Sequence, residues 1–183
     1  MKRKQLLSLL SSYSPRDYNE QKNKDVIITF VENNSDCFER TLKTGHIVAS
    51  AFLLNKERTH ALLMHHRKLN RWLQLGGHCD GNSDVLAVAI KEAQEESGIM
   101  KIEPVSAEIF DIDVHMIPAS SKEPEHYHYD IRFLLNVTSN ETVVKNDESN
   151  DLQWIEKYSS DLMTEEESVK RMFRKWQNNF LCF

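Results

Sequence analysis

The sequence predicts an α/β protein, and three observations support that fold class. A short apolar run at residues 72–75 leads into a loop that contains glycines, and the helical segment that follows ends at Gly98. Apolar segments typical of buried strands lie before and after this unit. The chain then closes with an amphipathic helix. Strand and helix segments therefore alternate, as they do where helices pack against a sheet.

The composition limits the size and the class of the protein. With 183 residues, of which 40% are hydrophobic, the chain is long enough to bury one sizeable core, so we expect a single domain over residues 1–183. We expect residues 1–40 to form a helical extension and residues 41–183 to form the core. The formal net charge of −5 argues against general nucleic-acid binding. No run approaches the roughly 18 apolar residues that a membrane-spanning helix needs.

The cysteines and the N-terminus indicate the compartment. Cys37, Cys79 and Cys182 are an odd number at unrelated spacings, which is typical neither of a disulfide framework nor of a zinc motif. A reducing cytoplasm is therefore expected. The leucine-rich run at residues 6–10 is interrupted and lacks a small-residue cleavage site, so we expect no signal peptide.

The N-terminal extension is predicted to be helical. An amphipathic helix is expected over residues 2–13, and Ser14 before Pro15 marks the start of a second helix that runs to about Val31. Residues 26–31 are rich in β-branched side chains, so a strand is the alternative for them. The extension has three candidate roles, namely a dimer element, a lid or packing against the core. Packing is favoured, and a homodimer stays open.

Residues 46–54 and 61–66 are predicted to form a β-hairpin, with a turn at residues 55–58. The loop that follows, residues 65–71, is the densest basic stretch of the chain and includes Arg67. Such a loop attracts a ligand that carries phosphate groups. A solvated hairpin loop is the alternative, since charged side chains are mostly exposed.

Three glutamates crowd the end of the helix that follows the glycines. This helix begins after a capping cluster at residues 82–84, and Glu92, Glu95 and Glu96 share one face because their spacing is i, i+3 and i+4. Their charges repel one another, and the helix dipole disfavours carboxylates at this end by roughly 0.3–1 kcal/mol each. A hard divalent cation such as Mg²⁺ or Mn²⁺ would remove the repulsion. A solvated, glutamate-rich helix end is the alternative.

Two further strands are predicted at residues 107–117 and 126–137, joined by a polar loop. In the second of these strands, alternation places four polar side chains on one face. They are His126, His128, Asp130 and Arg132. This face either lines a binding cleft or belongs to an edge strand that is open to water, and the sequence supports both interpretations equally.

The histidines suggest a second metal-binding site. All eight lie between His46 and His128. The candidate ligands are His65, His78, His115, His126 and His128. Because sequence spacing does not show that these imidazoles meet in space, histidines that bind no metal are the favoured interpretation.

Residues 77–99 resemble the Nudix box, G-x5-E-x7-R-E-U-x-E-E-x-G-U with U a bulky aliphatic residue, which is the signature of the Nudix hydrolases. The matching positions are Gly77, Glu92, Glu95, Glu96, Gly98 and Ile99. Two positions depart from the pattern, because Ser83 replaces the first glutamate and Lys91 replaces the arginine. Those two family residues are thought to brace the loop against the helix, and Asp80 or Asp84 is expected to pair with Lys91 instead.

The resemblance implies a fold and a reaction. The fold is a Nudix-type α/β/α sandwich around a mixed sheet, and the reaction is hydrolysis of a diphosphate that is linked to another group. Glu92 and Glu96 would hold Mg²⁺ or Mn²⁺, and Glu95 would be a further ligand or the base for water. The carbonyl of Gly76 would also coordinate.

The resemblance extends to the C-terminal part of the chain. Residues 146–155 resemble the last strand of Nudix proteins, and Asp147 or Glu148 falls where some relatives place an additional acid. The final helix is predicted independently from a capping box at Thr164 and Glu167. Its apolar stripe, which we expect in the core, consists of Val169, Met172, Phe173, Trp176 and Phe180.

We expect the partner to be a small nucleoside diphosphate derivative. A nucleotide sugar or ADP-ribose is favoured, because such substrates are widespread in the family. The predicted substrate-binding residues are Arg67, Gly77, His78, His128, Asp130 and Arg132. Two other functions stay open. One is an enzyme similar to the Nudix-fold isopentenyl diphosphate isomerase, which also uses histidines and glutamates around a metal, and the other is a nucleotide-binding module without catalysis.

Overall fold

The structure is a computed structural model that describes residues 2–120 and 124–178. Its helices are α1 (Lys2–Ser12), α2 (Tyr18–Asn33), α3 (Val85–Ser97) and α4 (Glu167–Asn178). Its strands are β1 (Gly45–Leu54), β2 (His60–His66), β3 (Arg71–Leu73), β4 (Leu75–His78), β5 (Ile102–Pro104), β6 (Asp111–Ile117), β7 (His126–Val137) and β8 (Ser149–Glu156). Two residues of the sequence predictions, Phe180 and Cys182, lie outside the described residues.

The strands form a mixed, curled sheet with flanking helices and a helical segment before it, so the predicted α/β class is confirmed. Hydrogen-bonded neighbours follow the order β3-β2-β1-β7-β5, while β4 pairs with β1, β6 with β7 and β8 with β2. Leu54 lies opposite Ala61 in the antiparallel pair of β1 and β2, which confirms the predicted hairpin. Over the described residues, none of the helices has the length and apolar character that crossing a membrane requires.

Contacts within the chain divide it into two compact units. Unit 1 comprises residues 1–50, 77–89 and 106–133, and unit 2 comprises residues 51–76, 90–105 and 134–183. The division does not follow the predicted boundary at residue 40. The single domain with its N-terminal extension stays a prediction, and the two units are described separately.

Unit 1 contains α1 and α2, whose burial explains why they fold. Ile27 and Val31, spaced i and i+4 on α2, are fully buried. The helix packs against β6, and the ring of Phe30 stacks on that of Tyr129 with 3.9 Å between centroids. Residues 26–31 are helical, so the strand alternative is wrong. These contacts support packing as the role of the N-terminal helices.

Unit 2 contains the apolar contacts of α4. The ring of Phe52 on β1 meets those of Phe173 and Trp176 edge to face, with centroids 5.1 and 5.7 Å apart. All three side chains are at most 2% exposed. The apolar stripe predicted for the final helix is therefore confirmed for its described residues.

Two predicted helix caps are wrong. Asp17 caps α2, since its carboxylate accepts a hydrogen bond from the N–H of Glu20 at 2.9 Å, in place of the predicted cap at Ser14. A carboxylate at this end also interacts favourably with the helix dipole. Thr164 does not cap α4 as predicted, because the helix begins only at Glu167, and the hydroxyl of Thr164 donates to the carbonyl of Trp72 at 2.8 Å. The hydrogen bonds that Asp17 and Thr164 make instead cannot be predicted from helical periodicity.

The strands predicted after α3 are present with shifted ends. β7 has the predicted bounds, whereas β6 begins at Asp111 and β8 at Ser149, a few residues later than predicted. The short strand β5 was not predicted. It pairs with β7 over only three residues, which is too few for an alternating pattern to be recognised.

Gly98 ends α3 and generates a stability prediction. Its φ is +73°, and a Cβ there would lie 2.7 Å from the Cβ of Val144, whose N–H donates to the carbonyl of Ser97 at 2.8 Å. Left-handed backbone costs a residue with a Cβ roughly 1–2 kcal/mol, and the clash adds to that cost. We therefore expect Gly98→Ala to lower the free energy of unfolding by about 2 kcal/mol or more, measured by urea denaturation.

Gly81→Ala is the matched control for this prediction. Gly81 also has a positive φ, of 80°, but the atoms nearest to an added Cβ belong to the carboxylate end of Glu39, a flexible side chain. Gly81→Ala should therefore lower the free energy of unfolding only by the cost of the left-handed backbone, about 1–2 kcal/mol. Equal losses in the two variants would contradict the role given to Val144.

Candidate functional site

Strand β4 is joined to the last turn of α3 through a buried carboxylate. Gly76 has a φ of +157°, which suits glycine, and its N–H donates to Oε2 of Glu96 at 2.8 Å. Glu96 is only 3% exposed. Its carboxylate is therefore held against the backbone of the glycine loop rather than in water.

Burial governs the charge of Glu96. Desolvation raises the pKa of its carboxyl to about 8, the N–H of Gly76 opposes that rise, and the charges of Glu92, Glu148 and Glu95 add to it. The neighbouring charges that act on this group are thus those of other carboxylates. Positive charge placed beside them would stabilise the ionised form of Glu96.

Lys91 supplies positive charge to the outer part of the glutamate face. Its ammonium lies 2.9 Å from Glu95 and 3.2 Å from Glu92. The side chain of Glu92 is 17% exposed and that of Glu95 is 57% exposed. Burial raises the pKa of Glu92, while the ammonium of Lys91 lowers it. The three glutamates therefore differ, since Glu96 is buried, Glu92 is half-buried and Glu95 is open to water.

The pairing predicted for Lys91 is wrong. Asp80 is bound by the guanidinium of Arg40 through two hydrogen bonds of 2.5 and 2.6 Å. Asp84 instead accepts a hydrogen bond from the N–H of Ala87 at 3.1 Å in the first turn of α3. Lys91 finds its partners on its own helix, where an i, i+4 neighbour is always within reach.

The predicted basic loop contacts the segment that carries Glu148. The backbone N–H of Arg67 donates to the carbonyl of Glu148 at 2.8 Å, and the guanidinium donates to the carbonyl of Ser149 at 3.1 Å. Glu148 raises the pKa of both Glu92 and Glu96. Of Asp147 and Glu148, the two additional acids considered from the sequence, Glu148 is thus the one whose charge raises the pKa of the glutamates.

The donor atoms of this site fit a hard divalent cation. They are the carboxylate oxygens of Glu92, Glu95 and Glu96 and the carbonyl of Gly76, and oxygen ligands are what Mg²⁺ and Mn²⁺ prefer. In residues 2–120 and 124–178, however, the group of possible ligands whose donor atoms all lie within 4.8 Å of one another consists of histidines. The three glutamates are neighbours on α3, but their carboxylates are not among the groups that meet this distance.

A cluster of histidines lies in unit 1, and we call it the histidine cluster. Its centre is formed by His46 on β1, His78 at the end of β4 and His128 on β7, with ring centroids 4.9–5.1 Å apart. His126 lies 5.0 Å from His46 between centroids, and His115 on β6 is the register partner of His128. Four of the five histidines proposed from the sequence therefore meet.

The membership of the histidine cluster differs from the prediction at two positions. His65 is not a member, because its ring stacks on that of Trp72 at 5.1 Å in unit 2. His46 was missed, although it stands in a strand-like apolar run where a buried imidazole is unusual. Burial lowers the pKa of His128 to about 2, and the four surrounding imidazoles act in the same direction. His128 is therefore neutral at physiological pH.

The polar face of β7 is buried, so the alternative of an edge strand open to water is wrong. Arg132 is 2% exposed, and its guanidinium bonds Asp130 at 2.6 Å, Asp111 at 3.1 Å and Asp113 at 3.5 Å. Burial acts to lower the pKa of Arg132, but the three carboxylates raise it above its usual value. The sequence did not predict that Asp111 and Asp113 of β6 contact the arginine. The register between β6 and β7 brings them to it.

This ion network bears on two predicted substrate-binding residues. Three carboxylates already hold the guanidinium of Arg132, and Asp130 is one of them. The network joins β6 to β7, so both Arg132 and Asp130 have a structural role. A substrate contact by either residue stays a prediction, as it does for Arg67, Gly77, His78 and His128.

Removing the charge of Arg132 should be costly. Arg132→Met removes the guanidinium from Asp111 and Asp130, two carboxylates that are both at most 1% exposed. Breaking a buried ion pair in this way costs about 3–5 kcal/mol, and we expect that loss in the free energy of unfolding measured by urea denaturation. The control is Arg40→Met, because the pair of Arg40 with Asp80 is about half exposed and should cost about 1 kcal/mol or less. Similar losses in both variants would contradict the structural role given to Arg132.

The sequence matches the NUDIX domain family over residues 44–177. Among solved structures, a hydrolase of the NUDIX family from Clostridium perfringens is 26% identical, with a TM-score of 0.52. The match covers 72% of this chain and 95% of that one. A search of curated proteins returned no match.

Two further structures are similar at lower identity. An Ap4A hydrolase from C. elegans is 17% identical with a TM-score of 0.57, covering 71% of this chain and 93% of that chain. A UDP-X diphosphatase is 14% identical with a TM-score of 0.51, covering 96% of this chain and 92% of that chain. At these identities the likeness concerns the fold alone.

Proposed function

The chain belongs to the Nudix family, whose members are pyrophosphohydrolases, and from that premise we propose that it hydrolyses the pyrophosphate bond of a nucleoside diphosphate derivative. We propose further that a divalent metal ion, Mg²⁺ or Mn²⁺, assists the reaction. The substrate favoured by the proposal is a nucleotide sugar or ADP-ribose. A homodimer and a cytoplasmic location stay predictions from the sequence.

The observation that carries the proposal is the burial of Glu96 against the glycine loop. Folding normally avoids enclosing a carboxylate among other carboxylates, because the desolvation of the charge is not repaid. Here the N–H of Gly76 holds the group in place, and Glu92 lies one turn earlier on the same face. A cation bound by these oxygens offsets the cost and explains why the arrangement exists.

In the proposed reaction, Glu92 and Glu96 would hold a divalent metal ion, with the carbonyl of Gly76 as a further ligand. Such an ion would supply positive charge against the diphosphate. Glu95, which is open to water, takes the proton of the attacking water, and the water oxygen bonds to one phosphorus while the bridging P–O bond breaks. The products are a nucleoside monophosphate and the phosphate ester of the other group. Arg67 attracts the anionic substrate.

A nucleotide-binding module without catalysis is the second candidate function, and one observation favours it. Lys91 already gives Glu92 and Glu95 a countercharge, so the outer part of the glutamate face needs no ion. The side chain of Lys91 is 60% exposed, however, and a rotation that moves its ammonium into solvent would release both carboxylates. If the protein is such a module, it binds a nucleotide without turning it over, and a chelator does not change the binding affinity.

The isomerase alternative has less support. Such an enzyme typically uses a catalytic cysteine, whereas the two cysteines in the described residues, Cys37 and Cys79, are 0% and 3% exposed. Burial also raises the pKa of Cys37 to about 11, which keeps its thiol protonated at neutral pH.

Glu96→Gln tests the proposed catalytic site. The exchange keeps the size of the side chain but removes the charge. We expect kcat to fall about 100-fold, which corresponds to a loss of about 2.7 kcal/mol of transition-state stabilisation. The assay measures nucleoside monophosphate release from UDP-glucose, ADP-ribose, Ap4A and GTP with Mg²⁺ or Mn²⁺. The matched control is Glu103→Gln, an exposed position on β5, which should match the wild type.

Two outcomes of this experiment would contradict the proposal. One is an equal rate for wild type and Glu96→Gln on every substrate that is turned over. The other is turnover that persists after EDTA treatment without added metal. Substrate binding without any turnover would instead support the nucleotide-binding module.

The substrate preference is tested by the same panel. Because the basic loop carries Arg67 beside Glu148, we expect Arg67→Gln to raise KM for the preferred diphosphate about 10-fold, with a smaller change in kcat. Lys68→Gln is the control, an exposed cation of the same loop. An equal effect of both variants would indicate general attraction by the loop rather than a contact of Arg67.

A further inference from the structure

The histidine cluster gathers imidazoles from separate elements at one place. The ligand nitrogens of His46, His78 and His128 all lie within 4.8 Å of one another. The three residues come from β1, β4 and β7, so the fold rather than sequence proximity brings them together. His46 is 2% exposed, and His78 and His128 are half-buried. The cluster therefore has one buried member and two members that are partly open to water.

The hydrogen bonds of His126 fix the direction of its lone pair. Its Nδ1 lies 2.9 Å from the carbonyl of Pro124, and because a carbonyl oxygen only accepts, Nδ1 carries the hydrogen. In the neutral ring, Nε2 then carries the lone pair, and this atom lies 3.3 Å from Nε2 of His128. Two nitrogens bound to one tetrahedral Zn²⁺ lie about 3.3–3.4 Å apart, given Zn–N distances of about 2.0–2.1 Å.

The surroundings resemble the outer shell of a histidine metal site. Metal-binding imidazoles usually donate their second N–H to a carbonyl or carboxylate, which fixes the tautomer. The bond from His126 to the Pro124 carbonyl has this form. His115, the register partner of His128, lies 3.3 Å from the carboxylate of Asp113. A carboxylate close to the imidazoles offsets part of the charge of a bound cation.

We propose that the histidine cluster is a transition-metal site, in which His46, His78 and His128 bind Zn²⁺ and His126 lies in reach of the fourth position. Imidazole nitrogen suits zinc and its neighbours in the transition series, whereas Mg²⁺ prefers oxygen. The donor set therefore differs in kind from the carboxylates of the proposed catalytic site. The proposal does not depend on the hydrolase reaction.

Metal content measures the site directly. Protein freed of metal with a chelator is incubated with ZnSO₄ in excess MgCl₂, desalted and analysed by elemental mass spectrometry, and the affinity is measured by competition with a chromophoric chelator. We expect one zinc ion per chain in the wild type. His78→Asn and His128→Asn should bind zinc at least 100-fold more weakly, because each removes one of three central ligands.

Control variants separate this site from other sources of zinc binding. His65→Asn removes a histidine outside the cluster and should keep one zinc ion per chain. The double variant Glu92→Gln with Glu96→Gln removes the carboxylates of the catalytic proposal and should also keep it. Circular dichroism of each metal-free variant establishes that it is folded, and half-buried His78 is the substitution least expected to disturb folding.

Four results would overturn the proposal. The first is a wild type without stoichiometric zinc after loading. The second is unchanged affinity in folded His78→Asn, and the third is an equal loss in His65→Asn. Loss of zinc in the glutamate double variant would also overturn it, by assigning the ion to α3. Because the readout is bound metal, a failure of the proposed hydrolysis leaves these outcomes unaffected.

Discussion

The hydrogen bond from the N–H of Gly76 to the buried carboxylate of Glu96 is the constraint on which the candidate site depends. It ties the glycine loop to the last turn of α3 and keeps an acid out of water. Few residues meet this demand, because the donor needs an unusual backbone conformation and the acceptor must tolerate burial. The nearby Glu92 and Glu148 make the burial more costly. Such an arrangement is stable when a cation balances it.

The protein handles its buried charge in three ways. In unit 2, the glutamates of α3 gather negative charge that Lys91 balances only in part. In unit 1, three aspartates hold the guanidinium of Arg132, and this ion network joins two strands. In the histidine cluster, burial keeps His128 neutral, so this imidazole adds no charge that needs a counterion. Oxygen donors and nitrogen donors are thus kept in different groups, each suited to a different class of metal ion.

Much of the fold follows from local patterns that the sequence displays. The periodicity and the capping cluster of α3 placed Glu92 and Glu96 on one face, and alternation placed His128 on the same face of β7 as its polar neighbours. What the sequence could not reveal depends on strand register and tertiary contacts. His46 joined the histidines through strand pairing, and Asp111 reached Arg132 through the register of β6 on β7. Neither contact leaves a signal in sequence spacing.

The most direct test of the central claim is the anomalous diffraction of Mn²⁺ in crystals of the wild type soaked with MnCl₂. If the buried carboxylate of Glu96 exists to hold a divalent ion, an anomalous peak will lie within coordination distance of Glu96 and Glu92, and it will be absent in crystals of Glu96→Gln. The account would be contradicted by a wild-type map without an anomalous peak beside α3. It would also be contradicted by a peak at the same place in crystals of Glu96→Gln.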